Sequence, residues 1–149
     1  MTNHIEFRVY GLPAPQGSKR HVGGGVMVES SKKVKPWRQD VVAAAVEAVG
    51  HAETFTAFTG PVHVRVVFTF PRPKYHYGTG RNAGVLKATA PVVVASKPDI
   101  DKLLRSTFDA LSTAGIWRDD NLAAEVTTTK VYGAQPGALI EIHELAVTH

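Results

Sequence analysis

The sequence predicts a single α+β domain: a small mixed β-sheet with two main helices packed on one face. Three observations lead there. Residues 5–11 and 61–70 alternate apolar and polar side chains as half-buried strands do. Residues 35–50 and 99–114 carry apolar residues at helical spacing. The order reads strand, helix, strand, helix, strand, strand, without an internal repeat or a low-complexity segment. A chain of 149 residues can bury a real core without disulfide or metal staples.

Each element has a local reason. Ile5–Gly11 is the first strand, and Leu12-Pro-Ala-Pro-Gln-Gly-Ser-Lys-Arg20 breaks it with two prolines and a glycine. Gly23–Gly25 is a flexible turn, with Val26–Val28 as a short hairpin return. Pro36 suits a first helical turn, and Trp37, Val41, Ala44, Ala45 and Ala48 form one stripe that ends at Gly50. In the strand at 61–70, Val62, Val64, Val66 and Phe68 share a face, and Pro71-Arg-Pro73 stops it. A long basic loop follows over about 71–98, with a short extended segment at Val92–Val94. Such a length inside a compact domain points to function. Asp99 is placed to N-cap the second helix, Ile100, Leu103, Leu104, Phe108 and Leu111 are its buried face, and Gly115 stops it. Strands at about 123–131 and 138–147 close the domain.

Composition narrows the chemistry. The net charge of +4 and a pI near 9.5 favour anionic partners. The chain has no cysteine, which excludes disulfides, thiolate zinc sites and a cysteine nucleophile. Its seven histidines show no paired ligand spacing, so no zinc site is expected. No apolar run is long enough to span a membrane or serve as a leader, and a cytoplasmic protein is expected.

The acids are distributed unevenly. Five of the thirteen, Asp99, Asp101, Asp109, Asp119 and Asp120, fall in one stretch, and none lies between Glu53 and Asp99. Carboxylates at a helix start are ordinarily caps. Here the second of them is not needed for capping, and another pair lies just past the same helix. Hard cations such as Mg²⁺ take oxygen ligands, and such ions promote phosphodiester cleavage. Carboxylates concentrated in a cationic molecule suggest a metal held against nucleic acid. Asp109, mid-helix, is read as structural, capping a loop or pairing with a basic residue.

Pro98-Asp-Ile-Asp-Lys-Leu-Leu-Arg-Ser-Thr-Phe-Asp-Ala-Leu111, followed by Ala114-Gly-Ile-Trp-Arg-Asp-Asp-Asn121, resembles the signature of the RusA family of Holliday junction resolvases, commonly encoded by phages and prophages. The family pattern is Asp-x-Asp-Asn-Leu-x-Lys, then Asp-Ala-Leu, then Gly-x-Trp-x-Asp-Asp. The likeness covers residues 97–131, and the proline-rich segment after the first strand is similar too. The resemblance implies a RusA-like dimeric fold. It implies a Mg²⁺-dependent crossover junction endodeoxyribonuclease, with Mn²⁺ able to substitute, that makes paired symmetric nicks in branched DNA. It implies that Asp99, Asp101 and Asp120 bind metal and act in catalysis, with Asp119 assisting. Two positions depart from the pattern. The family's asparagine is Lys102 here, and its catalytic lysine falls on Arg105. Arginine keeps the charge and grips phosphate as a planar fork, but it does not give up a proton near neutrality. The competing role for Arg105 is an i,i+4 pair with Asp101.

Lys19, Arg20, Arg72, Lys74, Arg81, Lys97 and Lys102 are the candidate DNA contacts, since phosphate neutralisation supplies non-specific affinity. Tyr75 and Tyr77 can stack on exposed bases, although packing of the loop onto the sheet is the preferred reading. Trp37 and Trp117 are expected in the core. A helix of this length is about 22 Å long. Asp120 therefore meets Asp99 and Asp101 only if residues 115–120 run back along it, or if a partner subunit supplies the later pair. Two other readings stay open: a branched-DNA-binding protein of the same fold that no longer cuts, and a hydrolase with two carboxylates as acid and base.

Overall fold

The computed structural model describes residues 3–17, 19–21, 27–29 and 32–147, with 19–21 and 27–29 described by their main chain only. The expected α+β domain is present. Its main sheet has the strand order β1-β6-β4-β5, where β1 is His4–Tyr10, β4 is Val62–Phe70, β5 is Ala123–Tyr132 and β6 is Gly137–Glu144. β6 lies antiparallel between β1 and β4, and β4 pairs parallel with β5, so the sheet is mixed. A separate two-stranded ribbon joins β2, Lys19–His21, to β3, Met27–Glu29. The expected hairpin return is therefore present one residue later; the Gly23–Gly25 turn lies outside the described residues.

Alternation sets the register. Ile5, Phe7 and Val9 of β1, Ile140 and Ile142 of β6, and Val62, Val64, Val66 and Phe68 of β4 are all buried on one face. The helices α1, Val34–His51, and α2, Ile100–Thr113, cover that face. Trp37 ties three elements together: its ring lies 6.5 Å from that of Phe68, and its Nε1 donates to Thr107 Oγ1 on α2 at 3.1 Å. Trp117 is equally buried and donates to Ser112 Oγ at 2.7 Å. Both tryptophans are core anchors with their polar edge satisfied, as buried indoles require.

The helices differ from expectation in two details. α1 passes through Gly50 and ends at His51, because the chain closes its last turn with Ala52 N–H on the Val49 carbonyl. The most deeply buried residues of α2 are Leu103, Ser106, Thr107, Ala110 and Leu111, while Ile100, Leu104 and Phe108 lie half-buried at the edge of the stripe. Ser106 and Thr107 are tolerated inside because their hydroxyls bond carbonyls of Ala14 and Leu103. At the far end Gly115 adopts φ +78°, a left-handed conformation that ends α2 as expected.

Candidate metal and nucleic-acid site

The N-terminal end of α2 is assembled from four segments. Asp99 occupies the N-cap position, but its carboxylate makes no capping hydrogen bond; it lies 3.7 Å from Lys102 Nζ instead. An exposed pair of this kind holds weakly and leaves the carboxylate available. Asp101 is exposed in the first turn, and Arg105 is exposed one turn on along the same face. Among the described residues no ion pair joins Arg105 to Asp101. The proline-rich segment lies across this end of the helix: Gln16 N–H donates to the Lys102 carbonyl at 3.0 Å, and Ser106 Oγ donates to Ala14 O at 2.7 Å. Pro13, Lys33, Phe70, Lys97, Asp99 and Lys102 border a hollow of about 470 Å³ here.

Lys130 completes the arrangement. Its ammonium, at the end of β5, donates to the carbonyls of Ser96 and Pro98, both at 2.8 Å. No sequence signal marked this residue, since the bonds run to main chain 32 and 34 positions away.

Asp119 and Asp120 lie elsewhere. The segment after α2 folds back only over the second half of the helix, where the Trp117 ring meets Phe108 edge-on with centroids 5.3 Å apart, and does not reach the helix start. Phe58 N–H donates to Ile116 O at 2.9 Å and Arg118 N–H donates to Phe58 O at 3.3 Å, pinning it beside the approach to β4. Asp119 Oδ1 then accepts from Asn121 N–H at 2.9 Å and opens the turn Asp120–Leu122 that leads into β5. Asp120 is pushed above its usual 3.8 by partial burial, by a hydrogen bond and charge from Asp119, and by the charge of Asp109. Asp99 and Asp101 do not contribute. The two acid pairs thus stand at opposite ends of α2 and β5. Seven residue steps along the strand separate Ala123 from Lys130, about 23 Å. Among the described residues, no three His, Asp or Glu side chains of one chain come close enough to hold a metal ion.

The fit to a hard cation is therefore partial. Asp99 and Asp101 are two uncommitted carboxylates beside one helix N-terminus, the right oxygen chemistry, but short of a full ligand set. Asp109 has a basic partner, as anticipated from sequence: its Oδ2 lies 3.9 Å from Arg38.

The candidate DNA contacts divide. Lys74, Arg81 and Lys97 are exposed along the loop, and Lys102 is half-buried beside Asp99. Arg72 is engaged within the loop, donating to Pro91 O at 2.7 Å and packing over the Tyr132 ring at 5.4 Å. The side chains of Lys19 and Arg20 lie outside the described residues, though their strand follows the segment crossing α2. Tyr77 is half-buried and pairs with Leu86, whereas Tyr75 is 72 % exposed and does not pack the loop down. His76 does that in its place, buried edge-on against Tyr132 at 4.7 Å. The extended segment at Val92–Val94 is present, bridging β5 at Val131. No described helix is long and apolar enough to cross a membrane.

The family model of endodeoxyribonuclease RusA matches residues 11–143 of this chain, which include both acid pairs and the proline-rich segment. No curated protein matches it.

Proposed function

Because this chain belongs to the RusA family of endodeoxyribonucleases, we propose that it is a Mg²⁺-dependent nuclease that resolves Holliday junctions by paired symmetric nicks. Asp99, Asp101 and Asp120 are its metal-binding acids, with Asp119 assisting, and Arg105 is the cation that faces the scissile phosphate. Its site of action is the cytoplasm, where such DNA forms.

The observation that carries this reading is the availability of Asp99 and Asp101. Neither carboxylate caps the helix; Asp99 has only an exposed contact with Lys102, and Asp101 has no ion pair among the described residues. The separation of the later pair points to a homodimer. β5 is an edge strand, exposed along Glu125, Val126 and Thr127; only its last residues, Lys130 and Tyr132, are already bonded on that side, to Val92–Val94. An unpaired edge is a template for another strand. A two-fold axis across the middle of β5 would run it antiparallel to its own copy, and the start of one β5 would then meet the end of the other. Asp120 of the partner subunit would come beside Asp99 and Asp101, once in each half of the dimer. Two such sites suit two opposed strands of a four-way junction.

In this arrangement Asp99, Asp101 and the partner subunit's Asp120 would hold the ion, with the partner subunit's Asp119 steadying the loop that carries Asp120. Bound Mg²⁺ would supply an activated water and charge stabilisation at the leaving oxygen. Arg105 gives two parallel N–H donors to the phosphate and stays protonated throughout. Lys102, released from Asp99, adds a second positive charge. Lys74, Arg81 and Lys97 track the neighbouring backbone, with Lys19 and Arg20 as further candidates.

The test is cleavage of a labelled four-way junction beside a linear duplex, with Mg²⁺ and with EDTA, for wild type and Asp101→Asn. Paired nicks on the junction alone, lost with EDTA or in the variant while binding persists, are expected. Tight junction binding without nicks under any divalent metal would instead identify a binding protein that has kept the fold and lost the chemistry.

A further inference from the structure

Next to the hollow that contains Asp99 lies a second one, of about 330 Å³. The two share Leu12, Phe70 and Lys97 in their walls. The second is lined by buried Val94, half-buried Tyr132 and exposed Tyr75. We propose that this hollow, with the Tyr75 ring as its platform, receives one unstacked nucleobase of the strand whose phosphate lies at Asp99. The inference rests on the nuclease reading above and deepens it by naming a base-binding subsite.

Tyr75 is exposed on a turn whose main chain is bonded in place. Its ring meets His76 edge-on, centroids 4.9 Å apart with planes at 88°. His76 is buried and stands edge-on to Tyr132 in turn, and Arg72 Nη1 lies 3.3 Å from its Nδ1. Main-chain bonds lock the turn: His76 N–H donates to Pro73 O at 3.0 Å, and Lys87 N–H donates to His76 O at 2.9 Å. A ring carried on a bonded turn and backed by a second ring has less freedom to lose on stacking, which favours a stacking partner.

The surroundings select the partner. A purely apolar ligand would not need Lys74 on the adjoining turn or Lys97 in the shared wall. A nucleotide needs both, with an apolar and aromatic slot for the base and cations for the phosphate. No acid occurs in the sequence between Glu53 and Asp99 to repel it. The hollows adjoin, so base and scissile phosphate belong to neighbouring nucleotides. At a branch point, stacking is already interrupted, which lowers the cost of turning one base out.

The experiment maps the cut made by wild type, then measures junction affinity in EDTA for wild type, Tyr75→Ala and Tyr75→Phe. Each is tested on intact junctions and on junctions with an abasic residue at either nucleotide flanking the cut. Expected is a loss of about tenfold for Tyr75→Ala, near-wild-type affinity for Tyr75→Phe, and a similar loss for wild type at one abasic position. Combining Tyr75→Ala with that abasic junction should add little. Unchanged affinity in both single tests, or two fully additive losses, would overturn the base subsite while junction cutting by wild type kept the nuclease reading. A wild type that neither binds nor cuts branched DNA would overturn both.

Discussion

The ammonium of Lys130 donates to the main-chain carbonyl of Pro98 at 2.8 Å, fastening the end of β5 to the start of α2. That contact fixes Asp99 and Asp101 at one end of β5, while Asp119 and Asp120 enter at the other. A polar bond between two long-range segments thus positions the acids more firmly than the helix cap does.

Lys130→Met should keep the aliphatic stem and remove both bonds. The charged donor satisfies two carbonyls, so a stability loss of about 1–3 kcal/mol is expected in urea denaturation. Junction cutting should fall further than stability explains, because the loop before Asp99 is released. Cutting at the wild-type rate would show that Lys130 only stabilises.

Arg105→Ala should slow single-turnover nicking by about 10²–10³-fold, the range for removal of one preorganised donor at developing charge, with junction affinity little changed. Arg105→Lys restores the residue the family pattern carries there and should retain most of the rate. An Arg105→Ala enzyme of normal rate would return this arginine to the solvated face of α2.

Val126 is a large apolar residue, 42 % exposed, on the edge strand. Val126→Glu should leave the fold intact, since the side chain is not in the core. It should convert a dimer to a monomer in sedimentation and abolish nicking with it. A dimeric and active variant would move the two-fold axis away from β5.

His76 is held below its usual 6.5 by burial first, and by the charges of Arg72 and Lys87 next. The unfolded chain therefore binds this proton more readily than the folded one. Stability is fully present above about 6.5 and falls as the pH drops through and below that value. Near-UV circular dichroism of the loop tyrosines should show a lower thermal midpoint at pH 5.5 than at 7.5. His76→Phe should flatten that dependence; an unchanged slope would mean that other groups set it.

Much of this was legible in the residues. The alternation in Val62–Phe70 and the stripe of α2 gave strand, helix and buried face, because burial on one side imposes a period the eye can count. The carboxylates of Asp99 and Asp101 stood out because the cap needs only one acid. The role of Lys130 was not legible, since its acceptors are main-chain carbonyls with no residue signature. Nor was the exchange between Tyr75 and His76: both are aromatic, and only the turn Lys74–His76 decides which one faces inward. The direction taken after Gly115 was equally hidden, because it depends on Phe58 pairing with Trp117 across the core.

The most direct test of the shared metal site is complementation between two inactive variants. Asp101→Asn and Asp120→Asn are each purified, then unfolded together and refolded as a mixture. A site built across subunits is doubly broken in one half of the mixed dimer and intact in the other, so nicks on one strand of a four-way junction should return with Mg²⁺. No nicks from the mixture, with wild type carried through the same refolding still active, would mean that both acid pairs act within one chain.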